Sequence, residues 1–178
     1  GLDKQRIVKR DDLDKIEEWF GPGSTNNYNI GVQLGPRSKI IDVEYDSVEG
    51  QQVAAKLFGE VYTPTYSSGN RSAHRLFLWQ EGLPQTAVIK TNNLELRLGG
   101  GNMGAQSVFP PSIHPSGSVY QWVPGLGLGE VDIQPVPESL LIMLANDPAL
   151  ESLDTPLLAR RRSSEHWDRI IAGKSKVV

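Results

Sequence analysis

The chain has no cysteine among its 178 residues. That absence excludes a disulfide framework, a thiol nucleophile, and any cysteine-ligated zinc or iron–sulfur site. Its three histidines, His74, His114 and His166, are scattered without HxxxH spacing, so a histidine-only zinc site has no support. No stretch approaches the roughly 20 apolar residues that span a bilayer. The N-terminus, GLDKQRIVKR, lacks the apolar core of an export signal. Both absences point to a cytoplasmic protein with no membrane partner. Positive charge is not in excess either: the net charge of −3 argues against a protein that coats DNA by charge alone. A serine hydrolase needs a G-x-S-x-G elbow, and none is present. Gly173-Lys174-Ser175 ends like a phosphate-binding loop, yet Asp168 stands where that motif needs its first glycine. Gly125 to Gly129 lacks the spacing of a dinucleotide fingerprint and reads as a plain loop.

What is present is a turn-rich composition, with 18 glycines, 12 prolines and enough apolar residues (38%) for a core. Between Gly21 and Asp154 there are seven basic and thirteen acidic residues. Four of those basics, Arg71, Arg75, Lys90 and Arg97, fall within 27 residues. Such a local cluster suits a phosphate-bearing ligand; as solvated strand-edge charges, it has no function to explain.

Asp11 to Phe20 reads as a helix, capped by Asp11 or Asp12, with Leu13, Ile16 and Phe20 as its apolar repeat. YNIGVQL and KIIDVEYD read as consecutive strands, and Ser47 to Phe58 as a second helix with Val53, Ala54, Leu57 and Phe58 inward. Short strand-like runs follow in VYTPTYS, SAHRLFLW, TAVIK, NLELRL, AQSVF and VYQWV. Helical pattern returns in PESLLIMLAND, with Pro137 near its first position, and in SSEHWDRII behind Arg160-Arg161-Arg162. The expected fold is α+β, a mainly antiparallel sheet flanked by helices, in one domain over residues 1–178. Its core runs over about 11–135, followed by a helical extension over about 136–178.

The chemistry sits in three strands. In KIIDVEYD the alternation of a strand puts Asp42 and Glu44 on one face, roughly 7 Å apart, and Ile41, Val43 and Tyr45 on the other. Two adjacent carboxylates repel, and a cation between them relieves that; hard oxygen ligands suit Mg²⁺ or Mn²⁺. Removing both acids is therefore expected to leave the fold intact or improve it. In NLELRL, Glu95 and Arg97 share a face while Leu94, Leu96 and Leu98 are buried. In SAHRLFLW, Ser72 and His74 fall together. Three carboxylates with serine, histidine and arginine form the inventory of two-metal phosphoryl or nucleotidyl transfer. Each pair taken alone also reads as the wet face of a half-exposed strand.

In order and context these motifs resemble the N-terminal catalytic domain of bifunctional DNA primase/polymerases (Prim-Pol), within the archaeo-eukaryotic primase superfamily. Ile41-Asp42-Val43-Glu44 is similar to that family's first motif, an acid pair at the end of an apolar strand. Ser68-Gly69-Asn70-Arg71-Ser72-Ala73-His74 is similar to the second, a serine–x–histidine after a turn, with a more polar lead-in than usual. Leu94-Glu95-Leu96-Arg97-Leu98-Gly99-Gly100 is similar to the third, an acid in a strand that ends in glycines. Pro110-Pro111-Ser112-Ile113-His114-Pro115-Ser116-Gly117 with Tyr120 and Trp122 is the most specific likeness. The resemblance covers about Asp11 to Trp122.

It implies a primase-like core and a metal-dependent nucleotidyltransferase that makes or extends primers on a single-stranded DNA template. Asp42, Glu44 and Glu95 then bind Mg²⁺ or Mn²⁺ and carry catalysis, while Ser72 and His74 meet the phosphates of an incoming dNTP or NTP. Arg97 and Arg71 are further phosphate partners, since a guanidinium fork matches phosphate oxygens. Ser112 and His114 lie in a turn that either positions nucleotide or template or is simply a tight loop. Family proteins often continue into a helicase, which makes a helicase domain or protein an expected partner and the chain a fragment of a longer replication protein, as in plasmid, phage or mobile-element replication. Two other functions compete. A metal-dependent nuclease also needs clustered acids, but Arg97 stands where an orienting lysine is usual and does not deprotonate. A non-catalytic initiation or nucleic-acid-binding module would show eroded acids and stacking aromatics; all three acids are present and only 7% of residues are aromatic.

Overall fold

The computed structural model describes residues 12–24, 28–69, 72–101 and 104–150. Asp11, Arg71, the Arg160–Arg162 run, the helical segment expected over residues 163–171 and the Gly173-Lys174-Ser175 triplet lie outside them. Among the described residues no helix is long and apolar enough to cross a membrane.

The elements run α1 (Leu13–Phe20), β1 (Ile30–Leu34), β2 (Ile40–Tyr45), α2 (Val48–Phe58), β3 (Thr65–Ser67), β4 (Ala73–Leu78), β5 (Val88–Thr91) and β6 (Leu94–Arg97). They continue with β7 (Ala105–Phe109), β8 (Gln121–Trp122), β9 (Gln134–Pro135), α3 (Glu138–Asn146) and a 3₁₀ turn at Pro148–Leu150. The main sheet has the order β5-β6-β2-β4-β3-β8. Every pairing in that path is antiparallel; β9 alone runs parallel, meeting β4 at Phe77 and Leu78, beyond the point where β3 ends. β1 does not join β2 in this sheet. It forms a separate antiparallel ribbon with β7, Ile30 opposite Phe109 and Leu34 opposite Ala105. The expected α+β class with a mainly antiparallel sheet is the observed one.

Strand alternation divides the sheet into two chemically different faces. On one face Ile41, Val43 and Tyr45 of β2, Phe77 of β4, and Leu94 and Leu96 of β6 pack with Ala54 and Phe58 of α2 and Leu140 and Leu144 of α3. Ser47 caps α2 by accepting the Gly50 amide at 3.0 Å. Helix α3 starts at Glu138, with Pro137 as its N-cap rather than its first helical residue. Its fixed φ of −59° still prepares the chain for the helix. On the other face a smaller cluster of Tyr66, Leu76 and Phe109, backed by Ile30, Val32, Tyr120 and Trp122, lies beside the acids of β2 and β6.

Helix α1 departs from the sequence pattern. Asp12 caps it as expected, accepting the Lys15 amide at 3.1 Å. Its apolar repeat, however, faces outward, with Leu13 71%, Ile16 38% and Phe20 42% exposed. The residue it buries is Trp19, whose ring meets Tyr28 edge-on at 5.9 Å. Among the described residues, this indole contact marks the face of the helix that turns inward.

The glycines after β6 have a packing reason. Gly99 has φ +64°, and a Cβ there would lie 2.0 Å from the Leu34 carbonyl oxygen. The β1–β2 turn therefore crosses the end of β6 at backbone distance, which holds the ribbon over the polar face. Gly99→Ala is expected to destabilise the protein by about 1–3 kcal/mol, read as a lower urea midpoint at unchanged m-value. An unchanged midpoint would show that this backbone crossing yields freely.

Candidate active site

β2 is flanked by β4 on one side and β6 on the other, and the register decides which side chains meet. Glu44 lies opposite His74 on β4 and opposite Glu95 on β6. Asp42 lies opposite Arg97. Directly opposed residues share a face, so three separate sequence motifs become one cluster. β7 completes it from above with Ser107.

Asp42 is the centre and is 0% exposed. A buried carboxylate is tolerated only when it is paired and hydrogen-bonded. Its Oδ2 faces four donors from four strands. His74 Nδ1 is at 2.9 Å, Tyr66 OH at 3.2 Å and Arg97 Nη1 at 3.3 Å, and Ser107 Oγ also donates. The proton on His74 is assigned to Nδ1 by this carboxylate, which leaves Nε2 turned toward Ser72 Oγ at 3.3 Å. The Tyr66 ring lies parallel on the His74 ring, centroids 4.4 Å apart, and fixes its plane. Burial, then the Asp42 charge, pushes the Tyr66 phenol far up from its ordinary value, so Tyr66 stays a donor.

Arg97 joins the three acids. Nη2 donates to Glu44 Oε2 and lies 2.7 Å from Glu95 Oε1, while Nη1 reaches Asp42. Burial alone would lower the Arg97 pKa, but Glu44, Asp42 and Glu95 outweigh it and raise it. Glu95 also pairs with the exposed Lys90, Nζ to Oε2 at 2.7 Å. Burial acts to raise the Glu95 carboxyl; the Lys90 hydrogen bond and the Arg97 charge outweigh it and hold the group below its ordinary value. Ser72 Oγ donates to Glu44 Oε1 at 3.1 Å.

This geometry reverses one expectation. The Asp42–Glu44 pair does not wait for relief from repulsion, because a guanidinium already stands between the acids. Removing both acids leaves His74, Tyr66 and Ser107 without their shared acceptor and Arg97 with Glu95 alone, so loss of stability is the expected result.

A model of the family described as bifunctional DNA primase/polymerase, N-terminal, matches residues 6–139. The chain belongs to the Prim-Pol family. No curated protein and no solved structure matches the chain significantly. For the Prim-Pol family in general the activity is of the primase/polymerase, nucleotidyltransferase type, with DNA and nucleotides as substrates and dependence on a divalent metal.

Within this Prim-Pol domain Asp42, Glu44, Glu95, Ser72, His74 and Arg97 come together as one group. The Pro110–Gly117 turn stands beside it rather than in it. Ser112 is buried, and its Oγ accepts the Ile30 amide at 2.7 Å, tying the turn to the start of β1. His114 Nδ1 bonds Ser116 Oγ at 2.8 Å, and its ring meets Tyr120 edge-on at 6.0 Å. Tyr120 in turn lies 6.3 Å from the His74 ring, which links the turn to the acids through aromatic contacts. Burial, then the Glu44 charge, raises the Tyr120 pKa.

Two residues of the cluster, Ser107 and Tyr66, were not singled out from sequence. The available signal was alternation: in Ala105–Phe109 a small polar serine takes an inward position, and a buried hydroxyl requires a buried partner.

Among the described residues no group of three histidine or carboxylate side chains stands ready as a metal cluster; the guanidinium occupies the point on which the acids converge. The donor chemistry nevertheless fits a hard cation. The donors available there are carboxylate oxygens without sulfur, and Asp42 Oδ1 is buried with no partner.

Ser107→Ala removes one of four donors from a buried charge and is expected to destabilise the fold by about 1–3 kcal/mol, measured by urea unfolding. Acid gives a second check. Because the folded-state pKa of Glu95 lies below its ordinary 4.5, its contribution is complete above pH 4.5 and is lost as pH falls through the lower folded value. The stability gap between the wild type and Glu95→Gln should therefore shrink on acidification below pH 4.5 in pH-dependent unfolding. A constant gap would show that the Glu95 carboxylate is not held by charge.

Proposed function

We propose that this Prim-Pol domain is a metal-dependent DNA primase/polymerase that synthesises or extends primers on a single-stranded DNA template. The observation that carries the proposal is the β4-β2-β6 register, which gathers Asp42, Glu44 and Glu95 next to Ser72 and His74 on one face. Asp42, Glu44 and Glu95 are the residues that would hold Mg²⁺ or Mn²⁺. Held there, the cation would supply a lowered pKa for the attacking 3′-hydroxyl and charge to offset the departing pyrophosphate.

The protein's own side chains do the rest. Ser72 Oγ, its hydroxyl turned from Glu44, and His74 Nε2, as the second N–H of an imidazolium whose Nδ1 stays on Asp42, lie side by side at the edge of the acids and suit the phosphate oxygens of an incoming dNTP or NTP. Asp42 and Tyr66 hold the His74 ring in one orientation, so it meets the ligand without rearranging. Arg97 is a further phosphate partner by its fork geometry, and Arg71 belongs to the same proposal, although it lies outside the described residues. In the reaction the primer 3′-oxygen bonds to the α-phosphorus, the bond to the bridging pyrophosphate oxygen breaks, and the hydroxyl proton passes to water. Ser112 and His114 belong to a turn that lines the approach of nucleotide or template by way of Tyr120. The domain would act in plasmid, phage or mobile-element replication as part of a longer protein, with a helicase domain or protein as partner and the cytoplasm as its place.

The test is extension of a labelled primer on single-stranded DNA with Mn²⁺ or Mg²⁺ and all four dNTPs. Asp42→Asn and Glu44→Gln, checked for folding by circular dichroism, should lose at least roughly a hundredfold in rate. Extension that survives in both variants would falsify the site assignment. A shortened template in place of a lengthened primer would make the protein a nuclease.

A further inference from the structure

The three acids hold six carboxylate oxygens, and five already have a donor. Arg97 serves Asp42 Oδ2, Glu44 Oε2 and Glu95 Oε1; Ser72 serves Glu44 Oε1; Lys90 serves Glu95 Oε2. Only Asp42 Oδ1 is buried and without a partner. One side chain therefore reaches an oxygen on every acid. Arg97 is itself mostly buried, with 20% of its side chain exposed, so its contacts are not loosened by solvent as those of Lys90 are, at 77%.

We propose that Arg97 is the resting counter-ion of the acid cluster and that a divalent cation must displace it. The inference rests on the metal-dependent reading above. A guanidinium seated where the three acids converge and a divalent cation held by the same acids would repel at contact distance, so the two do not occupy that point together. Displacement leaves Arg97 a mostly buried charge without a carboxylate partner, which is unfavourable. A nucleoside triphosphate supplies that partner, because phosphate oxygens match the guanidinium fork. Arg97 thus couples the two ligands: cation alone binds weakly, and cation with triphosphate binds strongly. By linkage each ligand strengthens the other to the same degree.

Mn²⁺ titration of the full chain, followed calorimetrically with and without a non-hydrolysable dNTP analogue, reads this coupling without catalysis. In the wild type the analogue should tighten Mn²⁺ by roughly tenfold. Arg97→Gln should bind Mn²⁺ alone roughly tenfold more tightly than the wild type, and the analogue should add little. Its metal-free thermal midpoint should be lower and its rise on adding Mn²⁺ larger. Arg97→Lys keeps the charge but cannot bridge three acids, so it should also bind Mn²⁺ more tightly than the wild type, though less so than Arg97→Gln. This second variant separates displacement from a general change in charge, and it carries the test if the glutamine variant does not fold. Wild-type affinity in Arg97→Lys, or unchanged coupling in Arg97→Gln, overturns the inference and leaves the metal reading standing. If folded wild type and variants alike bind no Mn²⁺, the metal reading itself fails.

Discussion

A fully buried carboxylate, Asp42, sets the terms for the rest of the polar face. Water does not reach it, so protein donors must, and they come from β3, β4, β6 and β7. Four strands distant in sequence are thereby held to one oxygen atom. The other oxygen is left without a donor. An interior carboxylate that is satisfied on one side and free on the other is a stability element with one oxygen still open.

The same fact explains why core and site are inseparable here. A single strand, β2, sends Ile41, Val43 and Tyr45 into the apolar layer under α2 and α3, and Asp42 and Glu44 into the cluster on the opposite face. A slip of one residue in register would exchange the two sets and bury the acids among leucines. The hydrophobic layer therefore enforces the position of the acids, and the acids' ion pairs with Arg97 oppose the slip from the other side. The β1–β7 ribbon adds the roof, pinned by the close backbone crossing at Gly99 and by the Ser112–Ile30 hydrogen bond.

Much of this was legible in the sequence. The period of two in KIIDVEYD and NLELRL separates acids from core residues in the way the strands realise, and the serine and histidine that open SAHRLFLW fall beside the acids as their spacing implies. The parts that were not legible share a cause. Tyr66 and Ser107 reach Asp42 from 24 and 65 residues away, and neither carries a charge or motif that local reading detects. α1 turns Trp19 inward rather than its apolar repeat. β1 leaves its sequence neighbour to pair with β7, because a strand's partner is chosen by what it covers, not by what it follows.

The sequence by itself determined the alphabet of the protein: which residues are acids, which faces are apolar and where the turns fall. Those are matters of local periodicity and of short-range steric preference, and they survive without a partner strand. Only the tertiary structure decided that a guanidinium, rather than bare repulsion, lies between the three carboxylates, and that one oxygen of Asp42 stays free. Both depend on side chains converging across four strands in a space closed to water. There the energy of a charge is set by its neighbours, and sequence spacing does not record who those neighbours are.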